Sequence, residues 1–462
     1  MERNTENNFY GVIMIKAFIT QKSSDNYFKE ANIRPLKENF GGGGCNVVVD
    51  TSQRFQKHMG FGGAFTEAAW RAVSVLPEAE KKKVIDAYFS KSGLCYNLAR
   101  IPVHTTDFSI EPRTYIEDGD KELKTFDTEW DGGRFEFYKQ CREASDGLFT
   151  LISPWSPPAF MKDNNKPQHG GKLLGEYREA WANYYCKFIE DLRSRGITVD
   201  ALTVQNEPEA VQIWESCIYT PEEEGYFIRD YLCPALKKHG FENTKIVLWD
   251  HNRDGVIRRS LSSFAIEGVR DLVWGIGYHW YCCDKSENLS AVHALYPEKA
   301  LFLTECCVEL AHDSTTGEAS YAGIWEHGER YGRQIINDFN NYSQGWIDWN
   351  IILDEEGGPT YVGNFCEAPV MIDKHTGKVS YMSSYYYIGH FSKFIKAGAT
   401  RVFCGNDAPS QLYSVAYENP DKSKIIVIQN SSSRRREITL TVDGKGTRFS
   451  MRPHSIMTLV AD

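Results

Sequence analysis

Through the middle of the chain one pattern recurs eight times: a short, nearly continuous apolar run, a polar or aromatic residue at its end, then a helical stretch. The runs are His58–Thr66, Tyr96–Val103, Leu148–Trp155, Ala201–Asn206, Lys245–Asp250, Val273–Trp280, Ala300–Glu305 and Gly345–Ile351. Runs without polar alternation suit parallel strands buried on both faces. Between them, Pro77–Phe89 opens with Pro and acidic residues, as a helix N-terminus does. Glu176–Arg195 ends in basic residues before Gly196, and Pro221–Lys238 runs from glutamates to lysines before Gly240. Both charge orders complement the helix dipole. Eight β/α repeats predict an α/β fold built on a closed (β/α)8 TIM barrel over residues 55–397.

The ends of the chain carry a different period. From about Arg401 short alternating runs take over: Leu412–Glu418, Ile425–Asn430, Glu437–Val442 and Ser455–Val460, separated by turn residues such as Asn419–Pro420–Asp421 and Asp443–Gly444. This predicts an antiparallel β-sandwich over 398–462. Residues 1–54 contain further strand-like runs over 9–50, and a few isolated strands bury no core. They are therefore expected to join the same side β-sandwich, which both chain ends would build. The Gly41–Gly44 run reads as a flexible loop, since it lacks the Lys-Ser/Thr of a phosphate loop.

Bulk properties narrow the function. With 462 residues, 42% hydrophobic and 25% charged, the chain has the composition of a folded globular protein. A net charge of −10 argues against a nucleic-acid partner, whose phosphates call for a basic face. No run approaches the length of a membrane span, so no stable membrane insertion is expected. Val12–Ile19 is broken by Lys16 and lacks a small-residue cleavage pattern, so it reads as a strand and not an export signal. The twelve Cys include the adjacent pairs Cys282–Cys283 and Cys306–Cys307 without zinc spacing. They are read as reduced thiols of a cytoplasmic protein.

In a β/α barrel the active site lies at the C-terminal ends of the strands. The fourth run ends in Gln205–Asn206–Glu207–Pro208 and the seventh in Thr304–Glu305. The third ends in Ser153–Pro154–Trp155–Ser156–Pro157–Pro158, the sixth in His279–Trp280–Tyr281, and the eighth carries Asp348–Trp349–Asn350. Each piece alone is ordinary: Asn-Glu-Pro punctuates loops, a lone His is usually packed, and Asn206 could simply cap a turn. Together they converge two carboxylates, several tryptophans and amide side chains on one rim. Two carboxylates are the equipment of a glycosidase, one protonated to serve the leaving oxygen and one ionised. Like charges at close range push their pKa values apart, so one site holds both states.

The chain resembles glycoside hydrolase family thirty, most closely its glucosylceramidase (acid β-glucosidase) branch. The resemblance is carried in collinear order by Gly60–Ala69, Asn97–Pro102, Thr106–Ser109, Ser153–Pro158, Gln205–Pro208, His279–Tyr281, Thr304–Cys307 and Gly345–Asn350. It continues through Glu356–Pro359, Gly363–Phe365 and Gly389–Phe394. It implies a retaining β-glycoside hydrolase in which Glu207 is the general acid/base and Glu305 the nucleophile of a covalent glycosyl-enzyme. It implies that Asp107, Trp155, Asn206, Trp349 and Asn364 hold a terminal glucose, with Arg100, His279 and Tyr281 behind or around them. Neither metal nor cofactor is implied. The substrate expected is a β-glucoside or a glucosylated lipid; β-1,6-glucanase and β-xylosidase are the alternatives within the family, and a binding protein that has lost catalysis is the alternative outside it. Two features depart from the glucosylceramidase pattern: no export signal is visible, and loop stretches Glu111–Trp130 and Asp313–Ser320 are polar where a lipid aglycone would call for apolar surface.

Overall fold

The computed structural model describes residues 13–23, 26–38, 40–312, 319–408 and 410–462. The start of the N-terminal strand-like region and residues 313–318 of the polar Asp313–Ser320 loop lie outside them. The chain divides into two compact units: residues 60–324 with 341–385, and residues 1–59 with 325–340 and 386–462. The second unit thus takes in the helix Trp325–Asn340.

The first unit is a closed barrel of eight parallel strands. In chain order they are Gly60–Ala64, Leu98–Val103, Phe149–Pro154, Ala201–Thr203, Lys245–Asn252, Val273–His279, Ala300–Glu305 and Gly345–Asn350. Each of the eight apolar runs supplies one strand. The fourth is shorter than its run because the chain leaves the ladder after Thr203. Asn206 N–H instead donates to Pro154 O at 2.8 Å and Glu207 N–H to Asp250 O at 2.9 Å, which ties the acidic turn to both neighbouring strands. The first strand is Gly-Phe-Gly-Gly-Ala because the barrel wall leaves no room there: a Cβ on Gly62 would lie 1.8 Å from Leu98 O. At its end Thr66 caps the following helix, accepting from Ala69 N–H at 3.1 Å.

The helix expected over Pro221–Lys238 forms in three pieces. Pro221–Phe227 is α-helical, begun by a capping box between Thr220 and Glu223. Ile228–Leu232 is a wide π turn, and Cys233–Lys238 resumes the α-helix. Pro234 has no N–H for the carbonyl four residues back, and the helix widens just ahead of it.

The second unit holds a nine-stranded sheet, in the order Asn26–Ala31, Ile15–Gln21, Ser455–Ala461, Lys424–Asn430, Leu412–Glu418, Thr400–Asn406, Cys45–Lys57, Arg436–Val442 and Lys445–Met451. Strands from both chain ends interleave in it, as the sequence predicts. Alternate residues of its strands, among them Ala17, Val47, Val49, Ile426, Ile428, Ile438, Leu440, Leu459 and Ala461, pack into one core. A single hydrogen-bonded sheet therefore curls over its own core as a sandwich. All its pairs are antiparallel except Cys45–Lys57 with Arg436–Val442, which run parallel. Thr400–Asn406 and Lys445–Met451 carry Gly and charged residues and give a weak alternation, which is why the sequence does not mark them as strands.

Gly62→Ala should destabilise the barrel by about 1–3 kcal/mol, the usual cost of overpacking. Urea unfolding would show it as a lower midpoint at unchanged slope.

Candidate active site

Every residue predicted for the site except Arg100, which stands inside the second strand, lies at or just beyond the C-terminal end of a barrel strand or on the loops above. Glu207, Glu305, Asp107, Trp155, Asn206, Tyr281, Trp349 and Asn364 line one cavity of about 510 Å³. Arg100 and His279 do not reach it. They are fully buried and bind the cavity residues from below.

The guanidinium of Arg100, on the second strand, is the centre of this arrangement. Its Nη1 donates to Glu305 Oε2 at 2.6 Å. Its Nη2 donates to Asn206 Oδ1 and to Asp250 Oδ2, both at 2.8 Å, and its Nε to Ser153 Oγ at 3.1 Å. Trp155 and Trp349, stacked with centroids 5.0 Å apart, lie against its guanidinium carbon at 4.8 and 5.5 Å. A buried guanidinium is tolerated only with this density of partners.

His279 connects the two acids of the site through their neighbours. Its Nδ1 is 3.1 Å from Glu207 Oε1, and its Nε2 is 3.0 Å from Asp250 Oδ1, which also accepts from Thr304 Oγ1 at 2.6 Å. His251 Nδ1 lies 3.4 Å from the same Glu207 oxygen. On the other carboxylate, Tyr281 O–H donates to Glu305 Oε1 at 3.0 Å. Asn364 Nδ2 donates to Asp107 Oδ2 at 2.9 Å.

The electrostatics follow from burial set against these partners. Burial alone would lower His279, but Glu305, Asp250 and Glu207 outweigh it and raise the imidazole to about 9. Burial likewise favours neutral Glu207, yet His251 and His279 draw it well below the usual carboxylate range. Asp250 is held low in the same way, by Arg100, His279 and Thr304 against its burial. Glu305 is raised by burial, with His279 and Arg100 opposing and Glu207 adding to the rise. Burial also raises Asp107 well above its usual value, against the Asn364 amide.

Some of the chain's left-handed non-glycine backbone lies at the site. Glu207 adopts φ +48, and Trp249 and Asp250 adopt φ +78 and +52, the left-handed region that non-glycine residues avoid. Glu207 is held there by its N–H bond to Asp250 O. The turn aims its carboxylate at His279 instead of along the strand.

Three positions at the end of the fifth strand escape the sequence reading: Asp250, joined to Arg100 and His279, and His251 and Asn252, which line the cavity. An apolar run closing on Asp-His-Asn was the available signal. Gln212 and Trp214, Glu309 and Leu310, and Phe365 also line the cavity from loops, where no period marks them. The polar stretch Glu111–Trp130 contributes nothing to this lining. Among the described residues one cluster has the donors for a cation, Glu207 with His251 and His279, whose ligand atoms lie within 4.8 Å of one another. Both nitrogens of His279 already face carboxylates, so the cluster reads as a proton network.

A parallel β/α barrel that turns two buried carboxylates, a tryptophan pair and amide side chains into one cavity of sugar size is a glycoside hydrolase. The chain belongs to glycosyl hydrolase family 30, in its glucosylceramidase-like branch: the family's TIM-barrel domain matches residues 58–395 and its beta sandwich domain residues 398–459. It is 32% identical to putative glucosylceramidase 3 of Caenorhabditis elegans over 431 residues, 90% of this chain and 81% of that one. It is 30% identical to lysosomal acid glucosylceramidase of Mus musculus over 446 residues, 93% of this chain and 86% of that one. Its structure superposes on that of SrfJ from Salmonella typhimurium with a TM-score of 0.91 at 30% identity, covering 97% and 99% of the two chains. The retaining mechanism of the family is therefore that of this enzyme.

His279 should leave its mark on stability. A folded-state pKa raised from 6.5 to about 9 contributes stability that is fully present below about pH 6.5 and is lost as pH rises through 9. Unfolding free energies measured from pH 6 to 10 should fall over that window, and His279→Ala should flatten the slope.

Proposed function

We propose that the enzyme is a retaining β-glucosidase that removes a terminal glucose from an apolar aglycone, with glucosylceramide as the representative substrate. The observation that carries this reading is the shared cavity, in which Glu207 and Glu305 face the residues assigned to a terminal sugar. In this reading Glu305 attacks the anomeric carbon. The Arg100 guanidinium and the Tyr281 hydroxyl are both donors, and so favour its ionised form. Glu207 protonates the departing oxygen, and in the second step deprotonates water. The two stacked tryptophans offer a face to the C–H side of the ring. Asp107, Asn206 and Asn364 supply hydroxyl partners.

The acid needs a proton that Glu207 by itself does not retain. Glu207 and His279 share one across their 3.1 Å contact. With the proton on His279, Glu207 is a carboxylate paired to an imidazolium. Moving it from Nδ1 to Oε1 gives neutral Glu207 and neutral His279, which still donates through Nε2 to Asp250. The pair can thus be poised as acid or as base without an external proton.

Support for an apolar aglycone comes from exposed apolar residues in and next in sequence to the cavity lining. Val211 is 61% exposed and Ile213 59%, alternating with the lining residues Gln212 and Trp214, and the lining residue Phe365 is 40% exposed. In this reading the aglycone meets these side chains as it leaves the sugar site. The polar stretch Glu111–Trp130, which pointed away from a lipid in the sequence, is not in that wall. No helix among the described residues is long and apolar enough to cross a membrane.

The test is hydrolysis of a panel of aryl β-glycosides and of glucosylceramide in detergent. Glu305→Ala should abolish turnover of every substrate. Glu207→Ala should still release an activated phenol in a burst and then stall, because a good leaving group needs little acid help. Equal loss of the first step in both variants would end the division of roles. Activity confined to xylosides or β-1,6-glucans would move the substrate and leave the mechanism. Val211→Ser with Ile213→Ser should raise KM for glucosylceramide several-fold and leave that for a soluble aryl glucoside unchanged.

A further inference from the structure

Two thiols face the catalytic cavity and have no part in the chemistry above. Cys307 follows the nucleophile by two residues, and Cys366 follows Asn364 by two. Both line the cavity while staying buried from bulk solvent, at 5% and 1% exposure. Their sulfurs are 3.3 Å apart. A short antiparallel pairing brings them together: Val308 lies opposite Glu367 and Glu309 opposite Cys366. This register leaves Cys307 and Cys366 as diagonal neighbours on one side of the pair. The sulfur of Cys307 is also 3.4 Å from the hydroxyl of Tyr281, the donor to Glu305.

We infer that Cys307 and Cys366 are an oxidation site in the wall of the active-site cavity, where a small peroxide closes a disulfide that lowers glycosidase turnover. The thiolate of one cysteine attacks a peroxide oxygen; the O–O bond breaks, an S–O bond forms, and with hydrogen peroxide the hydroxide that leaves takes up the proton released by that thiol and becomes water. The sulfur of the second cysteine then attacks the sulfenic sulfur; the S–S bond forms, the S–O bond breaks, and the second thiol's proton departs with the hydroxyl as water. Two thiols lose two electrons and hydrogen peroxide is reduced to two waters. A dithiol reductant reverses the closure by exchange.

The consequences for the site are local. A disulfide is about 2.05 Å long, so the sulfurs must approach by about 1.3 Å. That movement pulls the segment carrying Asn364 toward the end of the nucleophile strand. The 2.9 Å bond from Asn364 to Asp107 and the contact between Cys307 and Tyr281 are the first to change. Burial pushes the Cys307 thiol well above its usual range, with the contact to Cys366 adding to the rise. Cys366 is drawn down by its bond with Cys307, but burial and the surrounding carboxylates carry it up. The reactive thiolate is therefore scarce at neutral pH and grows with alkalinity. The staple forms slowly near neutrality and faster above it. Cys282 and Cys283, with sulfurs 3.5 Å apart, lie outside the cavity lining and serve as an internal control.

The experiment treats reduced enzyme with hydrogen peroxide at pH 7 and pH 9, blocks remaining thiols, and maps disulfides by mass spectrometry of an unreduced digest. The expected result is a cross-linked pair of peptides carrying Cys307 and Cys366, formed faster at pH 9. A loss of turnover of about tenfold or more should accompany it and be restored by dithiothreitol. Cys307→Ser and Cys366→Ser, each compared with its own untreated form, should lack the reversible loss, and the double variant C282S/C283S should keep it. Absence of the cross-linked peptides in the wild-type chain, or an equal reversible loss in Cys366→Ser, overturns the inference. The cross-link is read on the wild-type protein without substrate, so a wrong substrate assignment leaves it standing, and a variant that misfolds does not decide it.

Discussion

One buried guanidinium sets the terms for the catalytic unit. Arg100 stands on the second barrel strand with no access to solvent, and it reaches side chains from the third, fifth and seventh strands and from the turn after the fourth. A charge in that position is sustainable only if it is paired and hydrogen-bonded, so its partners are fixed together. Glu305 and Asp250 bracket it with opposite charge, Asn206 and Ser153 accept two further hydrogen bonds, and the tryptophan pair covers it. The same constraint fixes the orientation of the Glu305 carboxylate. Loss of a partner would leave an unpaired charge in the barrel interior, the costly case for buried ion pairs.

From that hub a chain of bonds runs to Glu207. Asp250 joins Arg100 to His279, and His279 joins Asp250 to Glu207. The carboxylates of Glu207 and Glu305 thereby sit at opposite ends of one network of alternating charge. Their different surroundings separate their behaviour more than their residue type does. Glu305 meets a permanent cation and a phenol, whereas Glu207 meets a base whose own proton can move. The strained turns at Glu207 and at Trp249–Asp250 put the second half of this network in place, and the backbone bond between those turns holds it.

The barrel makes the space for these side chains by doing without others. Glycines of the first strand bring neighbouring backbone close, and the large polar residues of the second, fifth and sixth strands occupy the interior. Above them the tryptophans, Cys307 and Cys366 form a small apolar cluster with Phe108, Leu353 and Met371, so this wall of the cavity is backed by ordinary packing.

The sequence by itself determined the eight strands, because a run buried on both faces has to be apolar throughout and is visible without knowledge of its neighbours. It determined that both ends of the chain build one sheet, since neither set of strands could bury a core alone. It also placed Glu207 and Glu305 on one rim, because barrel topology puts every strand end on the same face. Tertiary structure alone decided that Arg100 and His279 lie beneath the cavity, and that Asp250 joins them. Partners such as Arg100 and Asp250 are 150 residues apart, and no local period records such a pairing. The same holds for the widened helix before Pro234, the exposure of Val211 and Ile213, and the meeting of Cys307 with Cys366. Each depends on which surfaces the closed barrel brings face to face, and local patterning carries no information about that.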